Sequence, residues 1–276
     1  MRCASAILLP ILAALAGCGG APPAPEPPLR AQAYATEQDG ARRHARGDLP
    51  GALGSFILAE RQFVALDDGD GAARNRRHRA RIALEQGKAE EAAGLTAAMQ
   101  GDAEAQLIAA QGMLGSGRAG EAAKHLDAAA IACSPPCPHT VGISLMRARL
   151  ALATAEPAAA ERHAREGLAL LARGDAANPL ELANAHRLLA EALLGQKRAA
   201  DAEGAALHAL DLDRKSARPA KIARDWLLLG CIRRAIGPDA SAISRAREAY
   251  RHALDIADAA ALPEIVKAAD AALAKE

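Results

Sequence analysis

The sequence predicts an all-helical fold built from repeated helical hairpins, and three observations predict it. Half of the chain is hydrophobic (51%), yet only 2% is aromatic, and alanine makes up the difference. Alanine has the best helix propensity and little volume, whereas a chain poor in valine, threonine and aromatics does not easily build strands. Second, a short turn, a small residue and then apolar residues three to four positions apart recur along the chain. That spacing marks one buried helical face. Third, another apolar-periodic helix precedes each turn. The unit is therefore helix-turn-helix, and units in tandem form a solenoid.

The chain opens with MRCASAILLPILAALAGCGG, in which Arg2 precedes an apolar run from Ala4 to Ala16. The run is too short to span a bilayer as a helix. It has the charge, length and small-residue ending of a secretory signal. Its close, Leu15-Ala16-Gly17-Cys18, resembles the lipobox of bacterial lipoproteins. The resemblance implies a signal over residues 1–17, cleavage before Cys18 and a diacylglycerol on the Cys18 thiol. Each buried methylene adds about 0.8 kcal/mol, so two or three acyl chains tether a protein almost permanently. Gly19 stands where an aspartate would favour inner-membrane retention. The resemblance thus implies an outer-membrane lipoprotein facing the periplasm, or the cell membrane in a Gram-positive cell. Residues 21–29, APPAPEPPL, contain five prolines in nine positions. Each lacks a backbone donor and restricts its predecessor. Residues 18–32 therefore read as the lipidated cysteine and a stiff polyproline spacer.

Six turns follow, each leading into a second helix. Gly47-Asp48-Leu49-Pro50-Gly51-Ala52 leads to Phe56 and Ala59, and Gly87-Lys88-Ala89-Glu90-Glu91-Ala92 to Leu95 and Met99. Gly117-Arg118-Ala119-Gly120-Glu121-Ala122 leads to Leu126 and Ala129, and Glu156-Pro157-Ala158-Ala159-Ala160 to Ala164 and Leu168. Lys197-Arg198-Ala199-Ala200-Asp201-Ala202 leads to Ala206 and Leu210, and Arg245-Ala246 to Tyr250, Ala253 and Leu254. The pattern resembles the tetratricopeptide repeat family. The sixth unit matches best, with Trp226-Leu227-Leu228-Leu229-Gly230 in the family's Trp-x-x-Leu-Gly start and Tyr250 and Ala253 in its second helix. Steps between the small residues Ala52, Ala92, Ala122, Ala160, Ala202 and Ala246 are 40, 30, 38, 42 and 44, against a family norm of about 34. The resemblance implies a right-handed superhelical solenoid of about six units over residues 33–262. Residues 263–276 fit a capping helix: Pro263 suits a first helical position, and Ile265, Val266, Ala269 and Leu273 form its apolar face.

Without residues 1–17 the chain loses only Arg2, leaving 33 basic side chains (34 less one) against 33 acidic ones. That balance excludes a general polyanion binder, so nucleic acid is not a partner. The chain shows no His-Glu-x-x-His pair, Gly-x-Ser-x-Gly elbow or phosphate-binding glycine loop. We therefore assign no catalytic residue, no cofactor and no metal. Asp67-Asp68-Gly69-Asp70-Gly71 lacks the spaced ligands of a calcium loop and reads as a solvated turn.

Cys133 and Cys137 lie in a proline-broken loop, ACSPPCPH, after the third unit. The spacing fails both haem attachment and a thioredoxin-type pair. In an oxidising periplasm two thiols this close pair as a disulfide, with α-carbons able to reach the usual 4.4–6.8 Å. A second reading makes the protein metal- or redox-active through Cys133, Cys137 and His139, with no fourth ligand nearby. Cys231 reads as a small packed thiol.

The one dense charge run, Arg74 to Arg81, falls in the first helix of the second unit. Spacings of three and four put Arg74, Arg77 and Arg81 on one helical face. Such a run is usually a solvated surface. The functional reading, with family register placing that face on the concave groove, is a clamp for carboxylates of an acidic peptide or domain, and anionic lipid or cell-wall polymer is a third. The sequence thus predicts a membrane-tethered adaptor that binds a protein partner. Tethered repeat lipoproteins serve outer-membrane, pilus or secretion, and cell-wall assembly, and nothing in the sequence selects among these.

Overall fold

The computed structural model of the protein describes residues 27–173 and 178–275. Among the described residues there are thirteen helices: α1 (Pro28–Ala45), α2 (Leu49–Ala65), α3 (Gly69–Glu85), α4 (Ala89–Thr96), α5 (Ala103–Gly115), α6 (Ala119–Ala132), α7 (Thr140–Ala153), α8 (Pro157–Arg173), α9 (Pro179–Gly195), α10 (Ala199–Lys215), α11 (Pro219–Ile236), α12 (Ala240–Ala259) and α13 (Pro263–Leu273). They form six hairpins, α1–α2 through α11–α12, with α13 packed on the last. Each helix packs on its chain neighbours, and α3, α5, α7, α9, α11 and α13 also touch one another in succession. The second helices of the hairpins form no comparable row. First helices therefore crowd onto an inner, concave side and second helices form the outside.

Residues 1–26 lie outside the described residues, and with them Cys18, the lipobox and most of the proline spacer. The spacer ends sooner than residue 32, because α1 begins at Pro28. Proline is tolerated at a first helical position, whose N–H has no partner in the helix.

Small residues set the distance between helices. Ala52, Ala92, Ala122, Ala160, Ala202 and Ala246 all lie in second helices and are at most 1% exposed. Gly40 of α1 meets the Phe56 ring and Gly230 of α11 meets the Tyr250 ring; an added Cβ would sit 2.8 and 2.3 Å from ring carbons. The two glycine–ring pairs are equivalent, so Ala246 and Ala52, each four residues before its ring, occupy the same position. From glycine to alanine the first hairpin has 12 steps and the sixth has 16. The longer sixth arm explains the wide last repeat. The 30-residue step from Ala92 to Ala122 reflects the shortest helix, eight-residue α4.

Eight connections use one three-residue turn whose central residue has positive φ: Gly47, Asp67, Gly87, Gly117, Ala155, Lys197, Ala217 and Ala261. In each, the next N–H returns to a carbonyl five residues back, as Asp48 does to Arg43 and Leu262 to Ala257. This is the C-terminal cap that leaves few helix carbonyls unpaired. Asp67-Asp68-Gly69-Asp70-Gly71 is such a turn running into α3. The Asp68 side chain accepts from the Gly71 N–H at 2.8 Å, and Gly71 lets the Phe63 ring close in.

Five of the eight left-handed positions carry side chains that disfavour them. Replacing Ala155, Ala217 and Ala261 with glycine should each raise stability by about 0.5–1 kcal/mol. The sites are far apart, so the three gains should add. Urea denaturation followed by circular dichroism checks this; a loss of stability at any of the three would contradict the turn geometry.

Candidate functional site

The run Arg74 to Arg81 occupies α3 and divides between its two sides. Arg76 and Arg79 reach back to Glu60 of α2. Arg74, Arg77 and Arg81 point to the first helices on either side. Arg74 grips Glu37 of α1 with two bonds of 3.1 Å. Arg77 pairs with Asp102 and, at 3.0 Å, with Glu104, and Arg81 pairs with the same Glu104. The three guanidinium groups thus already hold carboxylates of their own chain. His78 between them stacks on Phe56 at 4.6 Å, and burial pushes its pKa down to about 4.

A different stretch of the concave side is open. Two adjoining recesses of about 320 and 610 Å³ lie against α5, α7, α9 and α11. Both are lined by Gln111, Arg149, Asn184, Arg187 and Lys221. Arg218 joins the first, and Arg224, Glu191 and Cys231 the second. Arg149 reaches only the Asn184 carbonyl oxygen, at 3.4 Å. No carboxylate of the described residues stands within ion-pairing distance of Arg149, Lys221 or Arg224. Burial leaves its mark on these groups. It lowers the Arg149 pKa, raises that of Glu191, and brings Lys221 down to about 8 with the help of Arg187, Arg224 and Arg149.

The floor of the recess is a buried ionic group. Arg187 of α9 donates from Nε to Asp225 of α11 at 2.6 Å and from Nη2 to Asp213 of α10. The three residues are 7%, 0% and 2% exposed. One guanidinium therefore ties three helices of two hairpins. Burial pushes the Asp225 carboxyl up to about 6; Arg187 opposes this and Asp213 adds to it.

Cys133 and Cys137 are joined in a disulfide with α-carbons 5.4 Å apart. His139 directly precedes α7, its N–H donating to the Cys137 sulfur at 3.4 Å. Among the described residues no group of three or more His, Cys, Asp or Glu side chains is arranged to hold a metal ion. Cys231 is exposed on the wall of the larger recess rather than packed. No described helix is long and apolar enough to cross a membrane.

No protein-family model and no curated protein matches the sequence. Among solved structures, the chain is similar to the APC/C hetero-tetramer Cut9–Hcn1, with TM-score 0.69, 14% identity, and coverage of 88% of this chain and 45% of that one. It is also similar to the Rap conjugation gene regulator of plasmid pLS20, solved with the Phr* peptide, with TM-score 0.61, 12% identity and coverage of 90% and 75%. A third is a Podosopora anserina putative kinesin light chain with nearly identical TPR-like repeats, with TM-score 0.52, 14% identity and coverage of 68% and 98%. The fold is a tetratricopeptide-like solenoid. The chain spans less than half the length of the Cut9–Hcn1 chain it matches.

Within that solenoid the open recess is built by one position per repeat. Gln111, Arg149, Arg187 and Lys221 follow one another at 38, 38 and 34 residues, close to the repeat step. That periodicity was available in the sequence. A dense arginine run draws attention away from it, because local density does not show which cations find partners.

Removing Arg187 leaves two buried carboxylates without a counter-charge, a change that typically destabilises by about 3–5 kcal/mol. Arg187→Ala should therefore be far more harmful than Arg224→Ala, which removes an exposed cation. Thermal melts of the two variants at pH 7 check the difference; equal melts would mean that the buried group does not hold the hairpins together.

Proposed function

We propose that this chain is a non-catalytic adaptor, tethered to the bacterial envelope through lipid on Cys18. In this reading its concave groove holds an extended, acidic segment of a partner protein. The fold supports this: stacked hairpins offer a long curved face of repeated side chains. The observation that carries it is the row Gln111, Arg149, Asn184, Arg187 and Lys221. These side chains, drawn from successive first helices, open onto one concavity. Extended peptides bring a periodic backbone, which a periodic wall of amide and cationic groups can match. Two structurally similar proteins were solved as complexes, one in the Cut9–Hcn1 hetero-tetramer and the other with the Phr* peptide. Arg74, Arg77 and Arg81 lie further along the same groove, where a partner would have to displace Glu37, Asp102 or Glu104.

The settings that suit such a tether are outer-membrane, pilus or secretion, and cell-wall assembly. Lipid on Cys18 places the body in the periplasm, on the outer membrane or, in a Gram-positive cell, on the cell membrane.

A photo-crosslinking residue at Gln111 should capture a protein in the native envelope, and one at Leu58 on the outer face of α2 should not. Equal capture from both positions would remove the groove from this reading. Cys18→Ser should move the chain from the membrane to the soluble fraction, and continued sedimentation with membranes would overturn the tether.

A further inference from the structure

The two halves of the groove handle charge differently. Towards the N-terminus, the inward guanidinium groups of α3 meet carboxylates from α1 and α5. Towards the C-terminus, five cations line the recesses: Arg149, Arg187, Arg218, Lys221 and Arg224. Three carboxylates line them too, Glu181, Glu191 and Asp213, and Asp225 lies buried behind Arg187. Glu191 shares the larger recess with Arg149, Lys221 and Arg224 but forms no ion pair with any of them. Asp213 and Asp225 share the single guanidinium of Arg187, so the floor holds two like charges against one. Meanwhile Arg149, Lys221 and Arg224 crowd together with no carboxylate at contact distance. A surplus of buried negative charge below and of positive charge above is relieved by the same event, the arrival of an anion together with a proton.

We propose that this recess is an anion site for the carboxylates of the partner segment, and that it takes up protons as it fills through Lys221 and the Arg187–Asp213–Asp225 group. The proposal rests on the groove reading above and adds the chemistry and regulation of the site. An anion beside Lys221 and Arg149 favours the charged lysine. The same anion favours the neutral form of Asp225 by like-charge repulsion. Both pKa values rise on binding, so affinity increases as pH falls, and reciprocally the ligand binds protons. The free-state values set the windows: around pH 8 for Lys221 and around pH 6 for Asp225.

The surroundings of both groups are defined. Asp225 faces Arg187 from α9 and Asp213 from α10. Lys221 faces Arg187 and Asp213, Arg149 from α7, and Arg224 on its own helix. Glu191 of α9 lines the same recess, and burial raises its pKa as well, so it acts in the same direction as Asp225. On the other side of α11, α12 packs with His252 stacked at 4.5 Å on Trp226.

The test uses the full-length chain, with a fluorescein-labelled peptide carrying four glutamates in a Gly-Ser background and its four-glutamine counterpart. Fluorescence anisotropy is measured at constant ionic strength between pH 5.5 and 8.5. The glutamate peptide should bind about tenfold more tightly at pH 5.5 than at 8.5, within the usual range of two-site coupling. The glutamine peptide should show no such slope. Lys221→Arg keeps the charge and should flatten the slope near pH 8 only. Asp225→Asn keeps an acceptor for Arg187 and should flatten it near pH 6. Arg149→Gln combined with Arg224→Gln, both outside the buried group, should abolish the preference for glutamate. A pH-independent affinity, or a glutamate preference that survives the Arg149/Arg224 pair, would overturn the proposal. Equal binding of both peptides with crosslinking at Gln111 would sink the anion site and leave the groove reading standing. Capture from Leu58 instead of Gln111 would sink the groove reading itself.

Discussion

The contact on which this structure depends is the alanine or glycine that lets one helix of a hairpin lie close against the next. A close approach of backbones replaces the large side chains that most helical cores use. The cores are accordingly shallow in the first hairpins, where clusters centre on Phe56, Phe63 and Ile82. They are deepest in the fourth to sixth, where Leu145, Leu171, Leu188, Leu193, Leu210, Leu229 and Ile232 form one continuous body. Burying alanine removes little apolar surface per residue. Stability in such a chain must come from many modest interfaces in series, each hairpin supported by its neighbours. The same economy of volume keeps the first helices near each other on the inner side and brings their polar residues into one groove.

Much of this architecture is legible in the sequence. Hairpin number, five of the six hairpin turns and the capping helix rest on local signals, and those survive in a single chain read from end to end. The sixth turn does not, because Arg245-Ala246 lies inside α12 and the chain turns earlier, over Gly237 to Asp239. Ala52 and Ala246 announce helix contacts because little else tolerates them, and Trp226-Leu229-Gly230 fixes the best register. The start of α1 is less legible, because Pro28 suits both a spacer and a first helical turn. Charge pairing is not legible at all. Arg77 meets Asp102 and Arg187 meets Asp213 and Asp225, partners 25, 26 and 38 residues away. Sequence density marks where cations are numerous, and only the superhelix decides which of them are satisfied. Cys231 illustrates the same limit: its helix is clear, but its exposure follows from the curvature that opens the recess beside it.

The arginine run and the open recess are two solutions to one problem. A concave surface lined by first helices gathers whatever polar groups those helices carry, and gathered like charges repel. In α3 the repulsion is offset by carboxylates from α1, α2 and α5, which makes the run a set of interhelix ties. Between α7 and α11 the carboxylates at the surface, Glu181 and Glu191, do not reach the recess cations, and Asp213 and Asp225 are drawn beneath it, onto Arg187. The consequence is a groove with a neutralised end and a cationic end, which gives an extended ligand a direction.

The buried group beneath the recess gives that direction a physical basis. A buried ionic network is seldom the most stable way to fill a helix interface, since apolar residues of the same volume often do as well or better. It does restrict how the hairpins can stack, because Nε and Nη2 of Arg187 must meet carboxylates on two different helices at once. α9, α10 and α11 are therefore held in the one relation that satisfies it. The recess cations Arg149, Lys221 and Arg224 take their spacing from that relation. Local burial of Arg187, Asp213 and Asp225 thus fixes the geometry of side chains that are themselves only partly buried or exposed. Stability and recognition in this part of the solenoid rest on the same three residues, and an anion entering the recess meets a site whose charge those residues regulate.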